Sequence, residues 1–275
     1  MKRQFLCFLT LVSTLLAVGC VGTAKPAAPG AGTFRFAQLC DTQLGFSTYD
    51  EDVRAFRTVV AQVNARHPDF VIICGDLVND CGNARAIQEF LTVRAGFKMP
   101  VYCVPGNHDV GLPANVVALK QYRDRIGPDQ VAFDHQGWTF IGLDTQALTP
   151  ADAGEVKAQQ LWLRQTLTTA KNAARPVIMF GHIPPFIAAP DEKPEYFNYP
   201  QPLRQEMLEL YRTHNVVAVL SGHTHRQAAA TTDGIQFFTG ATTSVNFDQQ
   251  PRGFTLWTAG PGHTLKSDYI PRPAP

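Results

Sequence analysis

Five short apolar runs organise this chain, at 34–40, 70–74, 101–104, 177–180 and 216–220. Apolar residues fill most consecutive positions in them rather than alternate ones, the pattern of a strand covered on both faces, and each predicts a buried strand. Helix-like stretches occupy 51–65 and 84–95 between the early runs, and 113–126 after the third. Residues 155–172 carry the clearest amphipathic signal, with Val156, Gln159 or Gln160, Leu163 and Leu167 at helical spacing. Segments 131–134 and 138–143 flank His135-Gln136-Gly137 and predict a hairpin. Past His225 the pattern turns to short strands broken by Gly234, Gly240 and Gly253. A β-α alternation followed by a β-rich end predicts an α/β domain with more than one sheet. The segment 183–202, rich in proline and aromatics, reads as a loop that either walls a pocket or packs on its own rings.

Composition adds boundaries. The chain has 275 residues, 45% of them hydrophobic, enough for one large domain, expected over 33–272. The first residues form a different object. A basic head, Met1-Lys2-Arg3-Gln4, precedes an uncharged apolar run that is shorter than the ~20 residues of a membrane span, so 1–19 reads as a lipoprotein-type export signal. Leu16-Ala17-Val18-Gly19-Cys20 has the form of a bacterial lipobox, with Cys20 as the lipid acceptor and the membrane as a partner through that anchor alone. Gly22-Thr23-Ala24 offers a competing cleavage site that would release a soluble exported protein. Residues 20–32 form a flexible tether. Lys+Arg number 24 against Asp+Glu 23, which leaves no electrostatic reason for nucleic acid to be the partner. Cys40, Cys74 and Cys103 end or sit within apolar runs and read, with Cys81, as thiols rather than a disulfide framework; there is no C-x-x-C zinc pattern.

The chemistry sits where the apolar runs stop. The first leads into Asp41-Thr42-Gln43 and the second into Gly75-Asp76. The third leads into Gly106-Asn107-His108-Asp109, the fourth into Gly181-His182, and the fifth into Gly222-His223-Thr224-His225. In α/β sheets ligands bind outside the carboxyl ends of the strands. Two carboxylates, an amide and three imidazoles are therefore expected to converge, a donor set suited to Mn, Fe or Zn and large enough for two ions.

This ordered set resembles the calcineurin-like metallophosphoesterases, whose pattern is D-x-H, G-D, G-N-H-D/E, a lone H and G-H-x-H. The resemblance covers about 34–247 and implies a four-layer α/β/β/α sandwich of two mixed sheets flanked by helices. It implies one metal on Asp41, Gln43, Asp76 and His225 and a second on Asp76, Asn107, His182 and His223, with Asp76 shared. It further implies in-line attack of a metal-bridging hydroxide on a phosphate ester. His108 would protonate the leaving oxygen, with Asp109 orienting its ring. Gln43 departs from the family histidine; a neutral oxygen there favours a harder ion and hence Mn²⁺ over Fe or Zn. Asp41-Thr42-Gln43-Leu44-Gly45 instead matches a D-x-Q-[LF]-G branch with a Ser/Thr protein phosphatase among its members. The expected substrate is a phosphomonoester, including phosphoprotein. A phosphodiester of a nucleotide or lipid headgroup, and a weakly active relative with an impaired first site, are the alternatives. Arg226 is a candidate phosphate contact, with Asn79 and Asn83 as lesser ones.

Overall fold

The computed structural model describes residues 32–148 and 153–273. The expected export signal, Cys20 and all of the tether except Gly32 lie outside the described residues. Strands β1 (Phe34–Leu39), β2 (Phe70–Cys74) and β3 (Val101–Val104) alternate with α1 (Tyr49–Asn64) and α2 (Ala84–Arg94). A one-turn helix α3 (Asn107–Val110) and α4 (Val116–Arg125) follow, then the hairpin β4 (Val131–His135) and β5 (Trp138–Gly142). The second half comprises α5 (Ala153–Asn172), β6 (Val177–Phe180), α6 (Gln201–Thr213) and β7 (Val216–Ser221). Four strands close it: β8 (Ala228–Thr232), β9 (Ile235–Thr239), β10 (Gly253–Gly260) and β11 (Thr264–Pro271).

The strands make two mixed sheets, ordered β11-β10-β1-β2-β3 and β4-β5-β6-β7-β9-β8. The alternation within each strand explains the layers. Phe34 and Phe36 of β1, Phe70 and Ile72 of β2, and Ile178 and Phe180 of β6 meet in one cluster between the sheets. Their neighbours Ala37, Leu39, Val71 and Ile73 share a cluster with Phe56 and Val59 of α1, Phe90 of α2 and Leu119 of α4. Val177 and Met179 face α5 and α6 through Leu163, Leu167 and Met207. Both faces of the central strands are buried, which is why they read as continuous apolar runs. The α/β/β/α sandwich expected from the sequence is the architecture found.

One polar thread crosses the aromatic layer. Buried Gln38 donates from Nε2 to the Ser221 carbonyl (3.0 Å) and accepts from Trp257 Nε1 (2.9 Å). It ties β1 to β7 immediately below the strand ends that carry the motifs.

Two local readings change. Asn83, a lesser functional candidate, caps α2 by accepting from the Ala86 backbone (3.0 Å), the ordinary role of asparagine at a helix start. Helix α6 begins at Gln201 with Pro202 in its first turn, where proline is tolerated because that N–H has no intrahelical partner. The proline that reads as the end of a loop is instead the opening of a helix.

Candidate metal centre

The ends of β1, β2, β3, β6 and β7 converge on one point, knitted together by backbone bonds. Asp41 N donates to Gly75 O (3.2 Å), Gln43 N to Asp76 O (2.8 Å) and Gly222 N to His182 O (2.9 Å). Asp41, Gln43, Asp76, His223 and His225 all adopt positive φ, between 38° and 71°. Non-glycine residues rarely sit there, and such strain is sustained where surrounding structure holds side chains for a purpose. Close approach accounts for two motif glycines. A Cβ on Gly106 would lie 2.1 Å from Asp76 Oδ1, and one on Gly75 would lie 2.6 Å from His182 Cβ.

Among the described residues two donor clusters form, Asp41/Asp76/His225 and Asp76/His182/His223, each with its ligand atoms within 4.8 Å of one another. Asp76 belongs to both. His182 Nε2 is 3.3 Å from Asp76 Oδ2, 3.0 Å from Asn107 Oδ1 and 3.1 Å from His223 Nδ1. His225 Nε2 is 3.4 Å from Asp41 Oδ1. The far nitrogen of each ring is anchored to a backbone carbonyl. His182 Nδ1 donates to Cys74 (2.9 Å), His223 Nε2 to Tyr196 (3.0 Å) and His225 Nδ1 to Val245. Such outer bonds fix each ring's orientation and turn its other nitrogen into the cluster.

The electrostatics favour a cation. Burial works against charge on His182, but Asp76 and Asp41 outweigh it and hold the pKa at about 10. Burial also opposes ionisation of Asp76, yet His182 and His108 bring its carboxyl down to about 2. Burial and the neighbouring His182 push His223 down to about 3, leaving a neutral ring able to act as a ligand.

Gln43 bears directly on whether an ion fits. Its side chain is buried; Nε2 is 3.4 Å from Asn79 Oδ1, while Oε1 has no hydrogen-bond partner among the described residues. A buried amide oxygen left without a donor is unfavourable, and a cation beside it would satisfy it. All seven expected ligands are thus in one place, and the donor set fits two ions.

His108 stands beside them. Its backbone N–H donates to Asp76 Oδ1 (2.9 Å) and its Nδ1 to the Asn79 carbonyl (2.9 Å). The expectation that Asp109 orients this ring is corrected. The Asp109 carboxylate is taken up by the backbone N–H groups of Gly106, Leu77 and Val78 at 2.8 to 3.1 Å, so it ties the third motif to the second. Burial, then the charge of Asp76, pushes its pKa up to about 7.

A cleft of about 160 Å³ opens over the cluster, lined by Gln43, Asp76, Asn107, His108, His223 and His225 and walled by Phe46, Tyr196, Phe197 and Phe247. Phe247 stacks on His225 at 4.3 Å, and Tyr196 and Phe197 lie 4.9 and 5.3 Å from His223. Arg226 is not among the lining residues; it borders a neighbouring pocket with Gln227, Asn246 and Asp248, so the structure does not bring it to the cleft. The 183–202 segment does both things expected of it. Phe186 and Tyr199 pack into the core, while Tyr196 and Phe197 face the cleft. Buried Arg204 braces it by donating to the carbonyls of Pro190, Glu192 and Tyr199.

Phe46, Phe247 and Asp52 escape a reading of motifs. Asp52 is buried on α1 and accepts from Gly45 N, Ser47 N, Ser47 Oγ and Ser244 Oγ at 2.8 to 3.1 Å. It pins the loop after Gln43 to the segment carrying Phe247. Asp52→Ala strands these donors and is expected to destabilise the fold by roughly 2–4 kcal/mol in urea unfolding.

A family profile described as calcineurin-like phosphoesterase matches residues 34–227. The rat (Rattus norvegicus) serine/threonine-protein phosphatase CPPED1 is 31% identical over 225 residues, covering 73% of this chain and 72% of the relative. The 3',5'-cyclic adenosine monophosphate phosphodiesterase CpdA of Escherichia coli K12 is 27% identical over 233 residues, covering 84% and 80%. Among solved structures, a dimetal phosphatase from Danio rerio superposes with a TM-score of 0.64 at 17% identity, covering 87% of this chain and 99% of that one.

Proposed function

This chain belongs to the calcineurin-like phosphoesterase family, and from that premise we propose that its cleft hydrolyses phosphomonoesters, with phosphorylated protein side chains as the substrate class. The observation that carries the reading is the pair of clusters sharing Asp76, completed by the unpartnered oxygen of Gln43. The similarity to serine/threonine phosphatases supports the choice of a protein substrate.

Asp41, Asp76, His225 and Gln43 would hold one ion, and Asp76, Asn107, His182 and His223 the other. Bound ions supply Lewis acidity toward the phosphoryl oxygens and lower the pKa of an attacking water. The chain supplies the rest. The carbonyls of Cys74, Tyr196 and Val245 hold the three imidazoles with their other nitrogens facing the cluster. His108, with Nδ1 fixed to Asn79, keeps Nε2 for the cleft, where it is placed to give a proton to the leaving oxygen.

Purified protein loaded with Mn²⁺ is expected to carry two ions per chain and to turn over p-nitrophenyl phosphate and phosphopeptides. A single ion and no His108-dependent turnover sinks the proposal. Mn²⁺ is the favoured occupant because Gln43 offers an oxygen where imidazole would suit softer ions. Accordingly Gln43→His should tighten Zn²⁺ binding by roughly tenfold and weaken the preference for Mn²⁺, read by calorimetric metal titration.

The similarity to a cyclic-nucleotide phosphodiesterase supports a second reading, a phosphodiester substrate. Assaying bis-p-nitrophenyl phosphate and cyclic AMP beside the monoesters separates the two.

A further inference from the structure

Tyr196 separates the catalytic cleft from a second depression. Its phenol accepts from Asn107 Nδ2 (3.1 Å) on the cleft side, and it also lines a groove of about 370 Å³ with Leu112, Pro113, Ile183, Tyr199 and Pro200. That volume lies at the lower end of the ~300–1,000 Å³ of ligand pockets. The groove's amide and hydroxyl are already engaged. Asn198 accepts from Glu195 N (2.8 Å) and donates to Glu192 Oε1 (2.6 Å) and Lys193 O (3.0 Å), while Thr145 Oγ1 accepts from Ile183 N (3.0 Å). Apart from Glu195 at the edge, what remains for a ligand is mostly apolar wall. Leu112, in the turn before α4, is 38% exposed, and Val116 and Val117 at the start of that helix are 48% and 66% exposed.

We propose that this groove seats an apolar side chain of a phosphorylated peptide, close in sequence to the phosphoresidue whose ester lies in the cleft beyond Tyr196. The proposal rests on the phosphoprotein-phosphatase reading above and adds a sequence preference to it. Two features favour a peptide side chain. The groove shares Tyr196 with the cleft, so one extended chain can span both. Glu195 at its edge repels the anionic headgroups that accompany a lipid phosphate.

The test uses the full Mn²⁺-loaded protein and phosphoserine peptides with leucine, serine or glutamate at successive flanking positions. Each kcat/KM is divided by that of the same protein on p-nitrophenyl phosphate. Leucine at one flank is expected to exceed serine by about tenfold, a size typical of filling an apolar subsite. Leu112→Asp should erase that ratio, and Leu112→Lys should shift the preference toward glutamate. Equal ratios across all peptides overturn the groove and leave the phosphatase reading standing. Hydrolysis of p-nitrophenyl phosphate with no turnover of any phosphopeptide overturns both. A preference for long-chain alkyl phosphates over every peptide overturns the peptide assignment.

Discussion

Asp76→Asn is expected to lower kcat/KM on p-nitrophenyl phosphate by on the order of 10³-fold or more, beyond the ~10–100-fold typical of changes one layer out from a metal. Asp76 is the only side chain common to both donor clusters found among the described residues, so the substitution weakens both at once. It also removes the charge that does most to offset the burial of His182. Asparagine keeps the size of the side chain and an oxygen that can accept from the His108 backbone. The protein should therefore stay folded by circular dichroism while metal content measured by mass spectrometry falls. Full metal content with full activity would exclude Asp76 as the shared ligand.

His108→Ala should behave differently. The ring is not part of either cluster, and its Nδ1 is tied to Asn79, so metal content should hold. Loss of a positioned general acid typically lowers kcat by ~10²–10⁴-fold. The loss should be small for p-nitrophenyl phosphate, whose leaving group needs little protonation, and large for an alkyl ester such as a phosphoserine peptide. A uniform loss across leaving groups would instead assign His108 to binding.

Much of this site was legible in advance because of how buried strands look. Strands covered on both faces, such as β2 and β6, must be apolar at nearly every position, so the first polar residue after each marks a carboxyl end. Asp41, Asp76 and His182 announce themselves that way, and His223 and His225 follow a few residues past the apolar run of β7. Asp109 did not reveal its role, because adjacency in sequence to His108 says nothing about which backbone amides surround a buried carboxylate. Arg226 follows a ligand directly, yet its side chain borders a different pocket. Phe46 and Phe247 could not be found by motif at all. They lie far apart in the chain, and only the folding of two loops over the cluster brings their rings to a centroid separation of 6.3 Å.

The provenance of the ligands has a mechanical consequence. Asp41, Asp76 and Asn107 hang from the ends of β1, β2 and β3, whereas His182, His223 and His225 hang from β6 and β7 in the other sheet. Across the seam, His182 Nε2 and Asp76 Oδ2 are 3.3 Å apart, about the rise of one residue along a strand. The centre therefore works as a vernier: a slide of one sheet over the other by a fraction of a residue takes its graduations out of line. Gln38 and the edge-to-face contact of Phe36 on β1 with Phe140 on β5 (5.2 Å between ring centroids) hold the two scales in alignment. Damage to that distant layer would register as a loss of metal affinity well before the domain came apart.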